Sequence, residues 1–232
     1  MASMFFSPIA YVMMMFFLLV TGCGFYWLVK ENLELMRSLQ GLMIVIWFCM
    51  LIVLPILTMR TFAEERKNGT FETLFTAPVH NTTVVLAKFA GVWGFFMLMC
   101  APTLLYPFIV RTLDPSIAVL LDLGPLITSY VTVGMIAAAF ISLGLFFSSM
   151  TSNQIVAAIG TFAVMSIIFF GGLFEPHISK NMIVREVGGY ISSALHLMES
   201  ARGMFDSRSI VFYFSTSAFF LFATMKSVET RR

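Results

Sequence analysis

The chain has 232 residues, of which 59% are hydrophobic and only 11% charged, whereas a typical soluble domain is about 25% charged. So little polar surface cannot cover a globule in water, and the solvent for most of the chain is therefore lipid. A formal net charge of +2 offers no electrostatic footprint for nucleic acid, and none is expected as a partner.

The predicted elements are all α-helices. The N-terminus, "MASMFFSPIAYVMMMFF", lacks the basic region of a cleavable signal, and its apolar run is too long for one, so it is expected to stay as a span. A helix needs roughly 20 apolar residues to cross the bilayer core. On that measure the first two spans are predicted over residues 9–29 and 41–59, joined by the short loop Lys30 to Gln40.

A segment of different character follows. "TMRTFAEERKNGTFETLFTAPV" (Thr58 to Val79) holds six charged residues within thirteen positions: Arg60, Glu64, Glu65, Arg66, Lys67 and Glu72. Arg60 to Lys67 reads as a helical stub continuing from the second span, and Asn68-Gly69 as its stop, with glycine in the left-handed conformation at C′. Thr70 can cap a second short helix, with Glu72 in its first turn favoured by the helix dipole. Phe71, Leu74 and Phe75 share one face at i, i+3 and i+4, and Pro78 ends the helix. From the residues alone, this loop (60–83) is either an interfacial hairpin or a docking element for a soluble partner.

The third span is predicted over 85–110, with Lys88 at its edge placed to snorkel toward headgroups. From Leu123 to Phe174 there is no charged residue in 52 positions. As one helix that run would be about 78 Å long, more than twice the hydrocarbon thickness. It must reverse, and "SSMTSNQ" (Ser148 to Gln154) is the polar cluster where a turn can sit, giving spans at 124–148 and 155–174. Residues 173–208 are too many for a simple turn. Within them Ile191, Ala194, Leu195 and Met198 recur at helical spacing, which predicts a short helix with Glu199 and Arg202 in its last turns, read from the residues alone as an interfacial helix resting on the outer leaflet. A sixth span over 209–225, with 17 uncharged residues, puts both termini on one side.

Several chemistries have no motif. Cys23, Cys49 and Cys100 each lie inside an apolar run and read as membrane-core residues rather than a disulfide or metal set. His80, His177 and His196 adjoin no Cys or carboxylate at ligand spacing, so no metal is expected. There is no GxxxxGK[ST] loop, so the chain has no Walker A motif and cannot itself be an ATP-driven motor. No catalytic residue or cofactor is predicted on it. The spans carry no mid-bilayer charge, which argues against a proton- or sodium-coupled carrier. Lys and Arg divide seven to seven between the two sides, so the positive-inside rule does not orient the chain.

"LPILTMRTFAEERKNGTFETLFTAPV" followed by "LAKFAG" resembles the signature loop of the type-2 ABC exporter permeases. In particular it resembles the branch containing gliding-motility permeases and the permease of nitrous-oxide-reductase maturation. The resemblance extends to "SPIAYV" (Ser7 to Val12), "FISLGLFFSSMTSNQIVAA" (Phe140 to Ala158) and "ARGMFDSRSIVFYFS" (Ala201 to Ser215). It implies an all-α polytopic membrane protein of the bacterial inner membrane, multi-pass, with six transmembrane helices and both termini cytoplasmic. A cytoplasmic coupling helix would lie between spans 2 and 3, and short outer helices between spans 5 and 6. Lys88 matches the lysine that opens the third span in these permeases.

The resemblance also implies the division of labour. ATP and Mg would be handled by a separate ABC ATPase subunit in two copies, and substrate would pass outward between this chain and a second permease chain. That second chain would be identical or similar to this one, and an extracytoplasmic accessory subunit is a further expected partner. Glu64, Glu65 and Arg66 would contact or brace the ATPase face, Gly69 would set the bend, and Phe71 and Leu74 would fill its groove. Arg60, Thr70, Glu72 and Pro78 complete the expected coupling site. Gly171, Gly172, Gly188 and Gly189 would permit the sharp bends of an outer gate. The rival function is a non-transporting scaffold or energy-coupling subunit of a surface machine such as a gliding apparatus. Family members begin with a basic amphipathic elbow helix. Here six uncharged residues precede Ser7, so either the elbow is missing or the true start lies upstream.

Overall fold

A computed structural model describes residues 8–30, 35–69, 81–113, 123–178, 192–204 and 206–230. A chain in lipid must satisfy its backbone groups internally, so uncharged runs become helices. They are α1 (Pro8–Lys30), α2 (Leu35–Thr58), α3 (Arg60–Lys67), α4 (Asn81–Cys100), a 3₁₀ turn (Ala101–Leu104), α5 (Leu105–Leu113), α6 (Leu123–Met150), α7 (Gln154–Ile178), α8 (Ser193–Ser200) and α9 (Ser207–Thr230). Among the described residues there is no strand.

Five helical stretches are long and apolar enough to cross a membrane: Ile9–Lys30, Leu39–Lys67, Asn81–Ile109, Leu123–Met150 and Ser207–Thr230. The apolar part of α7 within the described residues, Gln154–Phe170, is shorter. The structure therefore shows a polytopic membrane protein with five such spans among the described residues. The uncharged run predicts one helix over 85–110, and here the structure differs, dividing the run at Ala101–Leu104. Pro102 has no N–H to donate to the preceding turn, which favours the break. Thr103 Oγ1 bonds the Cys100 carbonyl at 2.6 Å and the Tyr130 hydroxyl at 2.7 Å.

The centre of the bundle is α6, which packs against α2, α3, α4, α7, α8 and α9. Small residues let its neighbours come close. A Cβ on Gly134 would sit 3.4 Å from the Met97 sulfur, and the Gly134 carbonyl accepts a 2.9 Å bond from Trp93 Nε1. The peripheral helices are α1 and α9, whose outward side chains are apolar: Met15 is 74% exposed and Phe214 76%. Between α6 and α7 the chain reverses at Thr151–Asn153, inside the polar cluster from which a turn is predicted. Asn153 Oδ1 accepts from the Ile155 N–H at 3.0 Å, capping α7.

Candidate functional site

The charged stub α3 is a rigid extension of α2. Met59 between them keeps helical dihedrals (φ −55°, ψ −31°), and its N–H bonds the Pro55 carbonyl at 2.9 Å. The stub ends as predicted: the Asn68 N–H bonds the Glu64 carbonyl, and Gly69 is left-handed with φ +69°. Among the described residues nothing lies within 4 Å of a Cβ placed on Gly69, and it is the left-handed backbone that favours glycine there.

Three contacts seat this stub. At its start, Thr58 presses on α6 where Gly144 offers no side chain; a Cβ there would come to 2.2 Å from Thr58 Oγ1. One turn further along α6, the Ser148 hydroxyl accepts from the Phe62 and Ala63 N–H groups at 3.1 and 3.2 Å and donates to the Met59 carbonyl at 3.1 Å. Ser148 thereby supplies in trans the cap that an N-terminal side chain normally gives, since Met59 has no capping side chain. On the other flank, the Lys88 ammonium of α4 reaches the Glu65 carboxylate at 2.5 Å and also donates to the Thr61 carbonyl. It lies 4.2 Å from the centroid of the Phe62 ring, which is fully buried.

The predicted coupling residues therefore separate into groups. Arg60 and Glu64 form a loose i,i+4 pair at 3.9 Å on the stub's outer side. Glu65 turns inward to Lys88, and Phe62, which the charge pattern did not single out, is the stub's buried anchor. Arg66 is half-buried on the stub, with Lys67 and Asn68 exposed beside it. Thr70, Phe71, Glu72, Leu74 and Pro78 lie outside the described residues. Sequence reasoning also missed Gly144 and Ser148. Their i,i+4 spacing within "GLFFS" was visible, but their partners are some 85 residues away.

A second constellation lies at the opposite end of α6, where α8 is buried in the bundle. Its predicted apolar stripe is divided, with Ala194 buried, Met198 half-buried and Leu195 left outside. Leu195 is 43% exposed, whereas Ser193, Ala194, His196, Leu197 and Ser200 are buried. The hydroxyls and the imidazole go where protein can pair them. Trp47 Nε1 of α2 donates to Ser193 Oγ at 2.8 Å. Thr128 and Thr132 of α6 bond the Ser200 carbonyl and hydroxyl, both at 2.7 Å. His196 Nδ1 pairs with the Tyr213 hydroxyl of α9 at 2.9 Å. Burial holds the His196 ring below its ordinary pKa, against the opposing fields of Glu199 and Asp206. Of the residues expected at an outer gate, Gly171 and Gly172 lie within α7, which continues to Ile178. A glycine pair costs a helix interior only about 2 kcal/mol. Gly188 and Gly189 lie outside the described residues.

One match takes in the whole of the first constellation and part of the second, leaving out His196, Ser200 and Tyr213. The model of the ABC-2 family transporter proteins covers residues 27–195, from the end of α1 through the start of α8. This chain belongs to the ABC-2 family. It is thus a membrane-spanning permease component of a transporter, and the family partners such permeases with ABC ATPase subunits. No curated protein matches the chain. The stub α3 lies well inside the matched region, as do Gly144, Ser148 and Lys88. Among the described residues no group of His, Cys, Asp and Glu could hold a metal.

Proposed function

We propose that this ABC-2 permease is the membrane-spanning subunit of an ATP-driven exporter of the bacterial inner membrane. Two copies of a separate ATPase subunit would grip the loop 60–83, and substrate would pass outward between this chain and a second permease chain. The observation that carries the reading is the stub α3. It is a mixed-charge helix, rigidly continuous with α2 and seated on both α4 and α6. A lipid anchor needs no such seating, whereas a part that takes a push must hold its angle. Gly69 then turns the chain toward the segment bearing Phe71, Leu74 and Pro78, which would fill the ATPase groove. With α7 as a further crossing, the spans number six and both termini are cytoplasmic. Kinship to the gliding-motility and nitrous-oxide-reductase-maturation branch is proposed on the signature loop with the "LAKFAG" that follows it, and on the Ser7 to Val12, Phe140 to Ala158 and Ala201 to Ser215 stretches.

The test is copurification. Full-length chain solubilised from its native membrane is expected to bring down a soluble protein carrying a GxxxxGK[ST] loop, identified by mass spectrometry, and ATPase activity with it. Chain purified free of other proteins should not hydrolyse ATP. If it does, or if no such subunit accompanies it, the proposal fails. Nucleotide hydrolysis without transported cargo in reconstituted liposomes would favour the scaffold function instead.

A further inference from the structure

The stub and the buried helix α8 are held by the same two helices. At the stub, α2 and α6 touch where Thr58 packs on Gly144. Toward the other end, α8 bridges the pair: Ser193 takes the hydrogen bond from Trp47 of α2, and Ser200 meets Thr128 and Thr132 of α6. Trp47 lies eleven residues before Thr58, and Thr132 twelve before Gly144, so each arm is about 16–18 Å long. Ser148 fastens the stub's backbone to α6 just beyond the contact.

We propose that α2 and α6 act as two arms pivoting at Thr58–Gly144, and that α8 is the crossbar that stays latched only while the stub keeps its angle. Trp47, Ser193, Thr132 and Ser200 are then positioning residues for the transport cycle, with Ser148 the link that sets the arm angle. The geometry makes the latch sensitive. With arms of about 17 Å, a rotation of roughly 3° moves the far ends by about 0.9 Å. That takes a 2.7 Å hydrogen bond beyond about 3.5 Å, where it no longer counts as one. The closing bonds are few and side-chain mediated, whereas α6 keeps its backbone ladder between the pivot and the latch, and α2 interrupts its own only at Pro55, three residues from Thr58 and so beside the pivot. Motion at the stub therefore concentrates at α8. This inference rests on reading the stub as the coupling element, but its test does not use the ATPase, so the two can fail separately.

Full-length chain with Cys23 and Cys49 replaced by alanine, Cys100 retained and Ala194→Cys introduced would be placed in lipid nanodiscs and treated with a water-soluble maleimide. Ala194 is 5% exposed and makes none of the latch bonds, and Cys100, 1% exposed in α4, labels only if the whole bundle opens. Thr132→Val should raise labelling at position 194 several-fold while Cys100 stays protected, and Thr132→Ser, which keeps the hydroxyl, should not. Ser148→Ala, 16 residues away, should raise it similarly, and combining it with Thr132→Val should add little. If Ser148→Ala leaves position 194 at its baseline, the ends are not linked and the inference is overturned. Flat labelling in Thr132→Val, or Cys100 labelling in step with position 194, overturns it as well.

Discussion

Gly144→Ala should be the most damaging one-carbon change in the bundle. The added methyl would meet Thr58 Oγ1 at 2.2 Å, Cβ at 2.7 Å and Cγ2 at 2.9 Å. All are inside van der Waals contact, and Thr58 is fully buried with its hydroxyl bonded to the Leu54 carbonyl. The side chain therefore cannot swing clear, and α2 and α6 must separate by about 1 Å. Overpacking of this kind typically costs about 1–3 kcal/mol. Thr58→Ala removes Oγ1 and Cγ2 but leaves the Cβ, so it relieves two of the three clashes. Alone it should be mild, since it gives up only a back-bond within its own helix. The pair Gly144→Ala/Thr58→Ala should accordingly be more stable than Gly144→Ala alone, a non-additivity of about 1 kcal/mol. Thermal unfolding of purified chain in detergent, followed by intrinsic tryptophan fluorescence, measures both terms. A Gly144→Ala protein as stable as wild type, or a double variant less stable than the single, would falsify the close contact on which the pivot depends.

Other substitutions and conditions probe the remaining contacts. Lys88→Met leaves Glu65 and the Thr61 carbonyl without their donor and should destabilise by about 1–3 kcal/mol, as for hydrogen bonds to charged groups; Glu65→Gln, which can still accept, should cost less, and the reverse order in thermal unfolding would refute this account of the stub. The lowered pKa of His196 gives a signed pH dependence. The ring is favoured neutral in the fold, so its stabilisation is complete above about pH 6.5, the ordinary histidine value. It declines as pH falls through that value toward the lower folded pKa. Amide protection factors over α8, with the intrinsic pH dependence of exchange divided out, should therefore fall between pH 7.5 and 5.5 in wild type and stay flat in His196→Gln; equal slopes would remove His196 from the cause. Asn68→Cys in a cysteine-free chain should resist impermeant thiol reagents in intact cells and label once the inner membrane is opened; labelling in intact cells would reverse the proposed orientation.

Legibility in the sequence followed the range of the interactions. Helix positions came from uncharged runs, and the stub's start and its left-handed Gly69 came from local punctuation. Both depend on residues within a few positions of each other. The break at Pro102 was equally local and could have been found from the proline itself. The seating of the stub was not legible, because Ser148 and Gly144 acquire their meaning only when α6 is laid against the end of α2. The helical spacing on α8 was legible but its burial was not, because the groups that pair with Ser193, His196 and Ser200 lie on α2, α9 and α6. In lipid the usual rule inverts, so that hydroxyls and an imidazole with partners go inward while an apolar side chain such as Leu195 can stay outside.

The same inversion bears on where function can reside in such a chain. In a soluble bundle, buried hydroxyls are exceptions to an apolar interior. Here Thr58, Ser129, Thr132, Ser142, Ser148, Ser200 and Thr224 are all buried. Most of them bond carbonyls of their own helix and need no explanation beyond that. Ser148 and Thr132 of α6 differ, because their hydroxyls reach across to another element at each end of one helix, Thr132 meeting the hydroxyl of Ser200. Bonds between membrane helices contribute only about 0.6 kcal/mol on average and 1.7 at most. No single one of them can hold the bundle together, since the apolar packing of α6 does that. Contacts this weak can break and re-form without unfolding the helices that carry them, which is the property a joint requires. It is by that criterion, partner identity and weakness together, that the two residues stand apart from buried serine hydroxyls of α6 such as Ser129 and Ser142.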